Sequence, residues 1–215
     1  MKAFFYQQEK NFNITVIKDR VLWFIVIWTI FVFFSSCSFI RSPYLLTGIQ
    51  FNKAIRDLSL FPINSSRFRL SELEDKKAIV FFMREKDCPI SEKYGPRIAR
   101  LEKRYSKKGI QFIYNYVGQF RAKESAEEDL KKFGFQGPYL IDSKQTVMDA
   151  LSAETTGDVF ILTPERRVVY RGPLDDQFHL LKSALRAKNN YVSDILDAII
   201  SGKKVVPKEL PLLAV

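Results

Sequence analysis

The sequence predicts an α/β domain, a mixed sheet flanked by helices, preceded by an N-terminal signal or anchor segment. Three observations carry this. From Lys77 onward, short runs rich in Val, Ile, Phe and Tyr alternate with amphipathic segments, the order of parallel strands joined by crossover helices. Later, two such runs are separated only by Thr163-Pro164-Glu165-Arg166, which adds antiparallel strands at one side of the sheet. Near the N-terminus, one strongly apolar segment stands apart from both patterns.

That segment is Val21–Phe34, fourteen residues with Thr29 the only polar one, flanked by Lys18 and Arg20 before it and Ser35-Ser36-Cys37 after it. A charged flank, a short apolar run and then small residues is the order of a secretory signal, and the run is short for a span of about 20 residues. Small residues just before a cysteine resemble the lipobox of bacterial lipoproteins, with Phe34 a departure. The resemblance implies cleavage before Cys37 and lipid attachment at Cys37. An uncleaved signal anchor is the second reading, and a buried helix of a soluble protein the third. The first two share one topology: positive charge stays inside and the rest of the chain is exported to the cell envelope, held at the membrane by its N-terminus. The expected organisation is 1–36 signal peptide or membrane anchor, 37–65 tether, 66–207 folded domain and 208–215 tail. The tether assignment rests on Pro43, Gly48, Pro62 and Asn64-Ser65-Ser66.

Within the domain, Lys77–Met83 is a near-continuous apolar run, as for a strand covered on both faces. Glu92–Ser106 reads as a helix with Tyr94, Ile98, Leu101 and Tyr105 on one face, and Ile110–Val117 as the next strand. Ser125–Phe133 follows as a helix opened by a Ser125/Glu128 capping box. Tyr139–Ile141 is a short strand and Gln145–Ala153 a helix. Asp158–Leu162 and Arg167–Arg171 form the hairpin, and a helical pattern fills much of Leu180–Ser201, broken near Asn189-Asn190.

The chain has 215 residues, and hydrophobic residues are 47% of it, including 19 Phe, which suffices for a packed core and argues against disorder. The net charge of +10 is spread over alternating-sign stretches such as Arg97–Lys108 and carries no nucleic-acid motif. Two cysteines and one histidine, His179, offer no zinc-site spacing, so neither a metal nor another cofactor is expected.

Cys88 falls between the strand ending near Met83 and the helix starting near Glu92. A helix start presents unpaired N–H groups and partial positive charge, which favour the thiolate over the thiol. Pro89 suits a first helical turn because its missing N–H is not needed there. Ser91 is placed to offer its hydroxyl to the sulfur, and Arg84 and Lys86 add positive potential opposed by Glu85 and Asp87. A space-filling cysteine is the bland alternative.

Three segments resemble the thioredoxin-like redoxins of the AhpC/TSA and TlpA group, especially an exported bacterial subset. Asp87-Cys88-Pro89-Ile90-Ser91-Glu92-Lys93-Tyr94-Gly95-Pro96 is similar to that subset's Cys-Pro-(Ile/Leu)-x-x-x-Tyr-x-Pro motif. Gly157–Leu162 with Val168–Asp176 resembles its hairpin, which ends in Tyr-Arg-Gly-x-(Ile/Leu)-Asp-Asp. Asn190–Gly202 is similar to its closing helix. The resemblance implies a thioredoxin-like mixed sheet and thiol chemistry at Cys88. The departures are as specific. Ser91 stands where dithiol oxidoreductases carry a second cysteine. Gly157 stands where such proteins place the cis-proline that forms a ledge for a substrate disulfide. Glu85 stands where peroxiredoxins carry Thr or Ser.

With Cys37 lipidated, the exported domain has one thiol and cannot close an internal disulfide. The expectation is therefore a membrane-tethered, single-cysteine thiol-disulfide oxidoreductase. Cys88 is its nucleophile, Ser91 supports the thiolate, and an external thiol or dithiol reductant resolves the intermediate; a protein disulfide is a candidate substrate. A redox-inactive binding or scaffold module and a peroxiredoxin-like peroxidase are the alternatives.

Overall fold

A computed structural model of the chain describes residues 51, 53–119, 121–178 and 186–210. Val21–Phe34, Cys37 and His179 lie outside them. Among the described residues no helix is long and apolar enough to cross a membrane.

The apolar run after Lys77 forms the central strand of the sheet. In chain order the elements are β1 (Ser59–Leu60), β2 (Phe68–Arg69), β3 (Ala78–Arg84), α1 (Pro89–Tyr105), β4 (Ile110–Tyr116), α2 (Ala122–Phe133), β5 (Tyr139–Ile141), α3 (Thr146–Leu151), β6 (Val159–Leu162), β7 (Val168–Gly172), α4 (Tyr191–Ile200) and β8 (Lys208–Glu209). β1 and β2 pair with each other, and the other six strands form one sheet in the order β5-β4-β3-β6-β7-β8. β3 runs parallel to β4, and β4 to β5, as the strand-helix alternation requires. β6 is antiparallel to both β3 and β7. The hairpin turn closes through the Arg166 N–H on the Thr163 carbonyl at 2.9 Å.

All seven residues of β3 are buried because the sheet is covered on both faces. Successive side chains point to opposite faces. Ala78, Val80 and Phe82 pack with Tyr94, Ile98 and Tyr105 of α1 and with Val192 and Leu196 of α4. Ile79, Phe81 and Met83 face the other way, onto Leu58, Leu60, Leu70 and the α3 residues Val147 and Leu151. That second layer corrects the tether. α3 is six residues long, too short to cover the whole face. The preceding chain supplies the rest, with Leu58 and Leu60 buried and Asn64 donating to the Gly137 carbonyl at 2.9 Å. Among the described residues, buried packing thus begins before Ser66, at Leu58 and Leu60. At the other end β8 pairs with β7, so the sheet continues past Pro207 into the expected tail.

α1 starts at Pro89, three residues before the position read from sequence. α2 starts at Ala122, so Ser125 is no cap: it lies inside the helix, its N–H bonded to the Arg121 carbonyl at 2.9 Å. Among the described residues the last helical pattern is helix only over α4.

Candidate functional site

The chain leaves β3 at Arg84, turns through Glu85-Lys86-Asp87 and enters α1 with Cys88 as its N-cap. Cys88 has extended backbone (φ −84°, ψ 113°) and is followed by Pro89 in the first turn. The half-buried sulfur accepts a hydrogen bond from the Ser91 N–H at 3.5 Å. The thiol therefore sits at the positive end of a seventeen-residue helix.

Ser91 holds this turn differently from the expectation. Its backbone N–H, not its hydroxyl, meets the sulfur; the Oγ accepts from the Glu85 N–H at 3.2 Å. Ser91 is buried, so its side chain pins the turn from inside while its amide faces the thiol. A hydroxyl three residues after a cysteine looks the same in sequence for either role.

Arg84 and Lys86 do not leave free positive charge beside the sulfur. Lys86 pairs with Glu128 on α2, and its hydrogen bond to that carboxylate raises its ammonium above the ordinary lysine range while lowering Glu128. Arg84 is buried and forked onto Asp129 of α2, with Nε–Oδ2 at 3.0 Å and Nη2–Oδ1 at 2.7 Å. Its third nitrogen donates to the Ser91 carbonyl, and the guanidinium lies over Phe133 and Phe135 at 5.3 and 5.4 Å. One buried cation thus ties the end of β3 to α2 and to the first turn of α1. Nothing in the sequence pairs Arg84 with a carboxylate 45 residues later.

Gly157 lies beside the start of the thiol's helix. A Cβ added to it would come within 3.7 Å of the Ile90 side chain, in ordinary contact. Its backbone has φ +90°, and its N–H donates to the Met83 carbonyl at 2.9 Å. Among the described residues there is no cis peptide bond. Neither this φ nor this N–H bond is available to proline.

Behind the turn, a cavity of about 10 Å³ is lined by Arg84, Ser91, Tyr94, Gly157 and Asp158 among others. Asp158 is buried, and its Oδ1 has no hydrogen-bond partner among the described residues. Burial pushes this carboxyl up to about 6, against the pull of Arg171, whose Nη2 lies 3.7 Å from Oδ2. Because the folded value lies above the unfolded one, the folded chain binds the extra proton, and stability falls as pH rises from about 4 through about 6. Asp158→Asn is expected to flatten that fall, gaining roughly 2–3 kcal/mol over the parent at pH 7 and little at pH 4. Urea denaturation at the two pH values measures it; an equal effect at both would show that Asp158 does not titrate in this window.

The other motif residues build the frame. Tyr94 donates to Asp175 Oδ1 at 2.8 Å, and Asp175 also pairs with Arg97. Asp176 accepts from the Lys188 and Asn189 N–H groups at 2.7 and 3.0 Å. Tyr105 donates to Asp197 at 2.9 Å. Glu102, a charged residue on a helix that sequence alone would leave in solvent, is buried. It accepts from the Gln136 and Gly137 N–H groups at 2.9 and 2.6 Å and from the Tyr114 hydroxyl at 2.9 Å.

Comparison with known proteins agrees with this architecture. The thiol-disulfide oxidoreductase ResA of Bacillus subtilis (strain 168) is 26% identical over 106 residues, covering 49% of this chain and 58% of that protein. The chain thus matches less than two thirds of that relative's length. An uncharacterized conserved protein from Geobacillus kaustophilus superposes with a TM-score of 0.65 at 26% identity, covering 74% of this chain and 86% of that one. The thioredoxin domain of a thiol-disulfide oxidoreductase from Bacteroides vulgatus shares the fold at 12% identity and a TM-score of 0.50, covering 66% and 94%. Residues 51–171, more than half of the chain, match the AhpC/TSA family, and with its thioredoxin-like sheet this protein belongs to that family.

Proposed function

We propose that this protein is a membrane-tethered, single-cysteine thiol-disulfide oxidoreductase of the cell envelope, with Cys88 as its nucleophile. The observation that carries the reading is the half-buried Cys88 sulfur at the N-cap of α1, within hydrogen-bond reach of the Ser91 amide. That amide and the start of the helix face the sulfur, the atom that carries negative charge as it enters and leaves a disulfide. The thiolate attacks one sulfur of a substrate disulfide, forming a mixed disulfide and releasing the other half as a thiolate. An external thiol or dithiol then attacks the mixed disulfide, returns Cys88 as thiolate and leaves with the substrate's sulfur. Ser91 is a positioning residue, and Gly157 is the open floor beside the turn. The match to ResA, named a thiol-disulfide oxidoreductase, supports the chemistry. Tethering rests on Val21–Phe34 and on lipid attachment at Cys37. The expected result is that Cys88→Ser abolishes exchange with a glutathione mixed-disulfide substrate while unfolding at the same urea concentration. Full activity in that variant defeats the proposal.

A binding module that has kept the scaffold without turnover is the second reading. It is favoured by Gly157 in place of the proline ledge and by the neutralised charges of Arg84 and Lys86. It predicts that iodoacetamide alkylates Cys88 no faster than free glutathione at pH 7, whereas the oxidoreductase reading predicts faster alkylation.

A further inference from the structure

Two turns along α1 from Cys88 lies an open cleft of about 190 Å³, lined by Arg97, Arg100, Arg104, Asp175, Asn190 and Ser193 over Leu101 and Leu174. The three arginines fall at spacings of three and four, so they stand on one face of the helix. Arg97 engages Asp175 through one guanidinium nitrogen, and Arg104 engages Asp197 through one nitrogen at 3.1 Å while stacking over Tyr105. Each keeps other N–H groups for a ligand. Arg100 is exposed, with no ion-pair partner among the described residues. Asp175 is the one carboxylate in the lining, and it is already consumed: its side chain is 2% exposed and accepts from Tyr94, Arg97 and the Gln177 N–H. The far wall is the start of α4, a ten-residue helix whose N-cap, Asn190, makes no side-chain capping bond. In its first turn the Val192 N–H already bonds the Leu174 carbonyl at 3.3 Å and the Asp194 N–H the Asn190 carbonyl at 2.9 Å, so the arginines, not the helix start, supply the donors.

We propose that this cleft binds a phosphate-type dianion, with Arg100 as its principal ligand and Arg97 and Arg104 closing on either side. Three guanidinium forks match tetrahedral oxyanions bidentately, which a lysine cluster would not do. The volume admits a group of phosphate size with a few waters, since one water occupies about 30 Å³. Free phosphate and a phosphate-monoester headgroup present the same dianion. The site needs nothing from Cys88 and stands or falls apart from its chemistry.

The test is calorimetric titration of the full chain, in neutral detergent at low ionic strength, with inorganic phosphate and separately with glycerol 3-phosphate. Saturable binding of either anion is expected, weakened about tenfold in Arg100→Gln by loss of a charge-assisted bond, and unchanged in the control Lys107→Gln. Tighter binding of glycerol 3-phosphate would point to a headgroup, and tighter binding of phosphate to the free ion. Arg100 is exposed, so its variant should keep the parent's melting temperature. No saturation with either probe, or equal affinity in Arg100→Gln, overturns the proposal.

Discussion

Replacing Arg84 with alanine is expected to lower the unfolding free energy by about 3–5 kcal/mol, among the largest effects of any single change in this chain. Asp129 would be left charged, buried and without its cation, with the Tyr139 hydroxyl its remaining side-chain donor among the described residues. Arg84→Lys keeps the charge but loses the fork that reaches both Asp129 oxygens and the Ser91 carbonyl, so it should recover only part of the loss. The double variant Arg84→Met with Asp129→Leu removes both charges and should be far less damaging than Arg84→Ala, as buried pairs replaced by apolar groups commonly are. Urea denaturation of the four proteins measures this. A loss below about 1 kcal/mol in Arg84→Ala would mean that the guanidinium is dispensable, and the turn carrying Cys88 would then need another support.

Installing the family's proline at the ledge is expected to damage this protein rather than restore it. Gly157→Pro forces φ from +90° to about −65° and deletes the N–H bonded to the Met83 carbonyl. Each change alone is costly, and together they should remove about 3 kcal/mol or more. Because Met83 immediately precedes Arg84, the strand end feeding the thiol turn would shift with it. The check is a melting curve together with the rate of Cys88 alkylation. Gly157→Ala separates the two causes: it keeps the N–H and meets only Ile90 at 3.7 Å, so its cost reports the backbone conformation alone. A Gly157→Pro variant as stable as the parent would show that this segment adopts the family's geometry readily.

Much of the sheet was legible because periodicity reports burial directly. The apolar run after Lys77 fits a strand covered on both sides, and Tyr94, Ile98 and Tyr105 marked the buried face of α1. The thiol's place at a helix start was legible for the same reason, since strand and helix patterns meet at Cys88. What failed was whatever depends on contacts distant in sequence. Leu58 and Leu60 sit among turn-forming residues and read as linker, yet the uncovered face of β3 draws them in. The Ser125/Glu128 pattern fits a capping box, but the helix extends a turn further back. Arg84 and Glu102 carry charges that composition assigns to solvent. Only the folded chain shows that Asp129 answers the first, and two backbone amides with a tyrosine answer the second.

Among the described residues, one margin of the six-stranded sheet is covered and the other is cut short. Along β5, Pro62 bridges to Leu140, the Ile63 N–H bonds the Tyr139 carbonyl at 2.8 Å, and the Asn64 side chain takes the Tyr139 N–H at 2.9 Å. On the opposite margin the two-residue β8, Lys208-Glu209, ends the array on charged, exposed side chains. Among the described residues neither rim leaves a long row of vacant donors and acceptors, the template on which extended peptides dock and copies polymerise. Copies crowded together would thus resist fibril-like stacking. A client polypeptide would have to be gripped by side chains around the sulfur, not zipped onto the sheet as an extra ribbon.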